Sequence, residues 1–288
     1  MIVSRMIGGL GNQMFEYACG LAVAKHHRVP LFLDTRGFNH QQSRTFTLSN
    51  FSISGSILEE HQLPTVAQVR SPLVRLLPAW YRPKGLRVYR DYIKTFDTHL
   101  TEVGNNMYLD GYWQDERYFV AAAEEVRQEF KLRQPLDPEN KRWSDEIASK
   151  NSVSLHIRRG DYVNNALYAS CSIIYYQLAL EHIAKQFPDI TVYVFSDDPA
   201  WVKDNLKTSF PTSYMTHNGP AKDYLDLVLM SHCRHHIIAN SSFSWWGAWL
   251  GKHENGIVIA PKTWYNDSSF QAGHILPSSW IAMANTTL

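Results

Sequence analysis

The chain has 288 residues, 44% of them hydrophobic and 19% charged, which gives room for two domains of ordinary size and excludes a disordered polymer. A formal net charge of +1 excludes recruitment of nucleic acid or membrane by a global field. Three cysteines without metal-ligand spacing, and no run near the ~18 apolar residues of a spanning helix, set the expectation of a reducing, cytoplasmic setting.

Met1–Ile7 runs at once into glycines and lacks the form of a signal peptide. Ile2–Ile7 reads as a first strand, and Gly8-Gly9-Leu10-Gly11-Asn12-Gln13 as a glycine-rich turn. From Met14, the apolar positions Met14, Ala18, Leu21 and Ala22 follow helical spacing to about His26, and Val29–Leu33 predicts a short strand ending in Asp34. This unit invites a dinucleotide reading, with Gly9-x-Gly11 opening the fingerprint and Asp34 where a ribose-binding acid belongs. Met14 weighs against it, because it stands where a third small residue is needed. The glycines, Gly11 among them, still let a ligand approach the backbone, and Asn12 and Gln13 can hydrogen-bond sugar hydroxyls. No Gly-x4-Gly-Lys-Ser/Thr sequence occurs, so a P-loop is excluded.

Thr35–Asn105 is poorly periodic, with Phe46–Ser54 as strand or loop. Between Arg70 and Lys94 seven basic residues stand against Asp91 alone, interleaved with Leu73, Val74, Trp80 and Tyr81. Two readings fit residues 70–94: a solvated connecting segment, or a basic-aromatic patch in peripheral contact with an anionic membrane surface. Met107–Trp113 predicts a strand, Gln114 to Phe130 a helix, and Lys131–Glu139, with Pro135 and Pro138, a linker. The expected division is an amino-terminal domain, 1–138, and a carboxyl-terminal domain, 139–288.

Lys141–Ala148 predicts a short helix before Ser152–Tyr162, which alternates like a buried strand and then breaks into a polar glycine turn. Two-residue periodicity puts His156 and Arg158 on one face at the strand's carboxyl end. A guanidinium there suits an anionic ligand such as a phosphate, and an Arg-Asp pair with Asp161 that only fixes the turn fits equally. Beyond a polar loop, Tyr176, Leu180, Ile183 and Phe187 share a helical face, and Ile190–Phe195 is a β-branched and aromatic strand. It ends in Ser196-Asp197-Asp198-Pro199, where Asp198 suits a helix N-cap and Pro199 a first helical position. Ala221–His232 is helical, His236–Ala239 a strand, Asn240-Ser241-Ser242 the lead into another helix, and Gly256–Ala260 a last strand. Strands and helices alternate from Ser152 to Pro261 as in a doubly wound α/β sheet.

Three successive strands therefore end in polar groups: His156 with Arg158, Asp197, and Asn240-Ser241-Ser242. That is the layout of a nucleotide site. Ser241 and Ser242 precede a helix whose free N–H groups favour phosphate, and Arg158 would stabilise a departing diphosphate. Asp197 can accept from N–H groups of a base or from a ribose hydroxyl. No Asp-x-Asp occurs, and the His232, Cys233, His235, His236 cluster lacks zinc spacing and reads as scaffold. Arginine in place of a metal is the economical expectation.

Gly8–Phe15, His156-Ile157-Arg158-Arg159-Gly160-Asp161-Tyr162, and Ser242-Phe243-Ser244-Trp245-Trp246-Gly247-Ala248 together resemble the signature blocks of the family 11 α-1,2-fucosyltransferases. The blocks occur in the family's order from Ile7 to Pro261; the middle one is shared more widely among fucosyltransferases, the outer two are narrower. The resemblance implies a GT-B-like α/β fold of two Rossmann-like domains, the carboxyl-terminal one binding the nucleotide sugar. It implies inverting transfer of fucose from GDP-β-L-fucose to the 2-hydroxyl of a terminal β-galactoside, without a cofactor or metal. Arg158 would grip the diphosphate, His156 and Asp197 the guanosine, and Ser241, Ser242 and Phe243 the phosphates. Asn12 and Gln13 would face fucose and acceptor.

The candidate catalytic residues are accordingly Arg158, Asp161 and His156. The donor set is Gly11, Asn12, Gln13, His156, Arg158, Asp197, Asn240, Ser241, Ser242 and Phe243, and the acceptor set Asn12, Gln13 and Trp245. Asp161 and Glu16 are the carboxylates nearest to serving as a base, although a strongly oxocarbenium-like transition state would let Arg158 carry most of the rate without one. The missing amino-terminal anchor sets the expectation of a bacterial, cytoplasmic enzyme at the inner membrane face that finishes surface polysaccharide or O-antigen units. The alternatives are an α-1,6- or protein fucosyltransferase, an NAD-linked oxidoreductase, and a non-catalytic glycan-binding protein.

Overall fold

A computed structural model describes residues 1–40, 44–59, 86–91, 96–102, 104–160, 167–251, 253–266 and 274–285. Asp161, and residues 70–85 and 92–94 of the basic tract, lie outside them. The chain divides into two compact units, Met1–Arg133 and Gln134–Leu288. Among the described residues no helix is long and apolar enough to cross a membrane.

The first unit is built on a parallel sheet of strands β1 (Ile2–Arg5), β2 (Leu31–Asp34), β3 (Ser56–Ile57), β4 (Arg87–Asp91) and β5 (Met107–Gly111). Their order is β3-β2-β1-β5-β4. Ile2, Val3, Leu33, Tyr108 and Leu109 are fully buried, the near-continuous apolar pattern of strands covered on both faces. Ile2 registers with Leu31 on one side and Met107 on the other, so chain direction around the sheet reverses at β1 and β5. Helix α1 runs Leu10–His27, earlier than its apolar spacing predicts, because the N–H groups of Asn12 and Gln13 both reach the carbonyl of Gly9 (3.0 and 3.1 Å). The helix expected from Gln114 to Phe130 is instead two single 3-10 turns, Glu116–Tyr118 and Val120–Ala122, followed by α2 (Ala123–Glu129). Phe119, at φ −136°, breaks the run.

In the second unit the strands are β6 (Asn151–Ile157), β7 (Ile190–Ser196), β8 (Thr212–Met215), β9 (His235–Ile237), β10 (Val258–Pro261) and β11 (Ile281–Met283). They lie parallel in the order β11-β10-β9-β6-β7-β8. Counted from the unit's own start this is 3-2-1-4-5-6 read from the β8 edge, the doubly wound arrangement of mononucleotide folds. The helices are α3 (Pro138–Ala148), α4 (Ile173–Ala184), α5 (Pro199–Asn205), α6 (Asp223–Ser231) and α7 (Ser242–Leu250). Pro138 opens α3 with Asp137 as its N-cap, so only the last two residues of the stretch read as linker, Pro138 and Glu139, belong to the first helix of this unit.

Alternation along β6 and β7 sorts the two faces. Val153, Leu155, Ile157, Val192 and Val194 pack on Tyr175, Tyr176, Leu180 and Ile183 of α4 and Val202 of α5. Tyr193 and Phe195 face Ile147 of α3 and Leu229 and Met230 of α6, with Phe243 of α7 at the margin. Period two thus fills one face with aliphatic groups and leaves Ser152, Ser154 and His156 for the other.

Candidate functional site

In a doubly wound sheet the crevice opens at the carboxyl ends of the strands where strand order reverses, which here is between β6 and β9. Strand β6 delivers His156, Ile157 and Arg158 to that point, and β9 delivers Asn240, Ser241 and the start of α7. The two ends are neighbours in space, since the rings of His156 and Phe243 lie 5.7 Å apart.

Arg158 Nη1 pairs with Asp197 Oδ2 at 3.2 Å, and the backbone N–H of Arg159 donates to Asp197 Oδ1 at 2.9 Å. A Cβ on Gly160 would stand 2.5 Å from Asp197 Oδ2, so glycine is what lets the turn close over this carboxylate. Asp197 thereby fixes the Arg158 turn; the Arg-Asp pair with Asp161 offered as an alternative lies outside the described residues. Arg159 points elsewhere: its guanidinium stacks 3.5 Å from the centre of Trp201 and its Nε donates to Asp198 Oδ2 at 3.2 Å. Asp198 caps α5 as expected, accepting from Trp201 N at 3.2 Å, with Pro199 at the first helical position.

His156 is buried, and burial, reinforced by the positive charge of Arg158, lowers its pKa to about 3. The ring is therefore neutral near pH 7, and its buried Nδ1 has no hydrogen-bond partner among the described residues. Beside it, α7 begins without a side-chain cap: Ser241 is the N-cap residue, and its hydroxyl bonds none of the helix's first N–H groups. The amino end of a helix, with its backbone N–H groups and the positive end of the dipole, is suited to hold a phosphate. Ser242 and Phe243, both half-buried, form its first turn.

Three sequence candidates in these units are engaged with the scaffold. Asn240 is buried and its Nδ2 donates to the carbonyls of Ala169 (2.8 Å) and Trp264 (2.9 Å), pinning two loops. Trp245 is fully buried, donates from Nε1 to Ile275 O at 2.8 Å, and packs among Trp246, Trp249 and Trp280, so its indole is enclosed. Gln13 is fully buried in the first unit. Its Nε2 donates to Gly8 O and Thr45 O, and its Oε1 accepts from Thr47 N, so it braces the glycine turn.

In that first unit Gly8 adopts φ +74°, and a Cβ there would lie 2.8 Å from Asn12 Nδ2. Gly11 is buried in the first turn of α1, and Asn12 remains half-buried at its start. Asp34 is buried against Arg36 (2.8 Å) and Tyr108 Oη (2.7 Å), which removes the ribose-binding acid of the dinucleotide reading. Glu16 is fully buried: its Oε2 accepts from Ile7 N at 2.9 Å, and desolvation holds its carboxyl well above the usual range. Its carboxyl is enclosed in the core of the first unit. Gln114, absent from the sequence candidates, donates from Nε2 to Asn12 Oδ1 at 2.9 Å. Its signal was an amide directly after a strand on the ligand-binding edge of the sheet. Among the described residues no three His, Cys, Asp or Glu side chains gather as a metal site would require.

Comparison with known proteins follows the same outline. The profile of glycosyl transferase family 11 matches residues 2–284. An alpha-1,2-colitosyltransferase of Escherichia coli is 33% identical over 290 residues, covering 98% of both chains. The O-antigen biosynthesis glycosyltransferase WbnK of Escherichia coli is 30% identical over 306 residues, covering 96% of this chain and 99% of that one. Galactoside alpha-(1,2)-fucosyltransferase 2 of Hylobates lar is 25% identical over 257 residues, 85% of this chain and 67% of the other. Among solved structures, Arabidopsis thaliana FUT1 in complex with GDP superposes with a TM-score of 0.56 at 12% identity, covering 89% of this chain and 69% of that one. NodZ alpha-1,6-fucosyltransferase soaked with GDP-fucose gives 0.50 at 19% identity, covering 86% and 91%. At these identities the structural likeness shows the fold, which is GT-B-like with two parallel α/β units.

Proposed function

The chain belongs to glycosyltransferase family 11, and on that footing we propose that it transfers L-fucose from GDP-β-L-fucose to the 2-hydroxyl of a terminal β-galactoside, with inversion at the anomeric carbon. The observation that carries this reading is the convergence at the switch point of the second sheet of the β6 end, His156 and Arg158, and the amino end of α7, which has no side-chain cap, with the rings of His156 and Phe243 5.7 Å apart. The first N–H groups of α7 and the hydroxyls of Ser241 and Ser242 hold the diphosphate. Arg158, aimed by Asp197, meets the negative charge that grows on the departing GDP, where a preorganised cation is worth most. Neutral His156 offers the nucleotide a hydrogen bond rather than a charge. With helix end and guanidinium both neutralising the diphosphate, transfer needs no metal. The sugar develops oxocarbenium character as GDP leaves, so the acceptor hydroxyl loses its proton late, to water or to the departing diphosphate, and needs no strong base.

A second donor is favoured by one observation, the 33% identity to a colitosyltransferase over almost the whole chain. Colitose is L-fucose without its 3-hydroxyl, so the same diphosphate machinery would serve. The similarity to WbnK supports an O-antigen-type repeat as acceptor. The test is incubation with GDP-fucose or GDP-colitose and a panel of β-galactosides in EDTA, with GDP release followed. Acceptor-dependent release is the expected result, and none with either donor across the panel defeats the reading.

A further inference from the structure

We propose that the turn after β5, Tyr112-Trp113-Gln114, forms with Asn12 an acceptor subsite in the first unit, in which Tyr112 stacks on the apolar face of a galactopyranose. The proposal rests on the glycosyltransferase reading above and adds the residues that would recognise the acceptor.

Four observations meet at this turn. The first sheet reverses its strand order between β1 and β5, so ligand access lies where the loops leave those two strands. Those loops are joined there, Gln114 Nε2 donating to Asn12 Oδ1 at 2.9 Å. Trp113 sits at φ +51°, a left-handed conformation that a bulky non-glycine residue rarely adopts. Tyr112, next to it, keeps 44% of its surface exposed although it directly follows a strand whose residues are all buried.

The strain at Trp113 is held from several sides. Its indole, 1% exposed, stacks 6.0 Å from Tyr89 and meets Tyr118 edge-on at 5.5 Å. Its carbonyl accepts from Asp115 N at 2.8 Å, and buried Asp115 is locked to Arg117 Nε at 2.9 Å. Strained backbone survives where its surroundings over-determine it, and such residues cluster at ligand sites. Trp113 is thus a positioning residue: its buried indole anchors the turn while the reversed backbone presents Tyr112 and Gln114 on either side.

The chemistry selects a sugar of a particular shape. Galactose carries its 4-hydroxyl axially, which leaves the hydrogens on C3, C4 and C5 together on one face, a flat apolar patch for an aromatic ring. Hydroxyls on the rim of that patch meet amides such as Gln114 and Asn12. A glucoside, with its 4-hydroxyl equatorial, presents a more divided face.

Binding is read without transfer, by saturation-transfer NMR of methyl β-galactoside and methyl β-glucoside with the whole chain. The proposal expects saturation of the galactoside H3, H4 and H5 protons in the wild type. Tyr112→Ala should weaken binding about tenfold, Tyr112→Phe should retain it, and Gln114→Ala should fall between, each tenfold being one decade in Kd. Trp113→Gly, which tolerates the positive φ but loses the anchor, should weaken galactoside binding while GDP affinity, read by calorimetry, stays unchanged. Equal galactoside binding by wild type and Tyr112→Ala overturns the subsite, as does no binding by a wild type that binds GDP. Loss of transfer with galactoside binding intact would instead overturn the donor reading.

Discussion

Arg158 and Asp197 form a 3.2 Å ion pair across the carboxyl ends of neighbouring strands β6 and β7, and Gly160 leaves the space in which it closes. The pair sets the direction of the cation at the switch point. Arg158→Ala should therefore lower kcat by about 10²–10³, the scale for losing one preorganised group that stabilises developing negative charge. Asp197→Asn, which leaves the guanidinium in place but loosens it, should cost about tenfold. Steady-state kinetics with varied donor checks both.

Gly160→Ala tests the same geometry from the backbone side. The added methyl would meet Asp197 Oδ2 at 2.5 Å and must displace it. Donor KM should rise and kcat fall, with a thermal midpoint close to that of the wild type because the turn is exposed. Unchanged kinetics would show that Asp197 does not aim Arg158.

Asn240 and Trp245 should behave as scaffold. Asn240→Ala leaves the carbonyls of Ala169 and Trp264 without their buried donor and should cost about 2–4 kcal/mol of stability. Trp245→Ala should cost about 3–5 kcal/mol, whereas Trp245→Phe should lower stability without altering acceptor KM. Chemical denaturation and initial-rate kinetics separate these outcomes.

Acid should weaken the second unit through its neutral histidines. Burial lowers His156 and His236 to about 3, against an ordinary value near 6.5 in the unfolded chain. Below about pH 6.5 the unfolded state binds protons that the folded state refuses, so this contribution is complete above that pH and declines as pH falls toward 3. Each histidine should remove about 1.4 kcal/mol per pH unit in that window. Urea midpoints at pH 7, 6 and 5 measure it, and His236→Asn should flatten the profile.

The sequence made much of the second unit legible. Period two in Ser152–Ile157 exposes the strand and puts His156 and Arg158 at its end, and Asp198-Pro199 announces a capped helix. Strand β8 escaped because four half-polar residues following Pro211 carry little apolar signal, and β4 because Arg87–Asp91 reads as part of a basic tract. The roles of Asn240, Trp245 and Gln13 were illegible for a different reason. A polar or aromatic residue beside a motif looks like a ligand contact, and only partners far along the chain, such as Ala169 for Asn240 or Thr45 for Gln13, reveal that its valences are occupied. The positive φ of Trp113 left no mark at all, since Met107–Trp113 reads as uninterrupted strand and the reversal follows from packing against Tyr89 and Tyr118.

The central claim is that a GDP-linked 6-deoxy-L-sugar is carried to the 2-hydroxyl of a β-galactoside by Arg158 and the amino end of α7. The most direct measurement is NMR of the product from GDP-fucose and a β-galactoside in EDTA, run with wild type and Arg158→Ala. The account predicts an α-linked fucose on galactose O2 from the wild type and a trace at most from the variant. A different linkage, or equal product from both proteins, would contradict it.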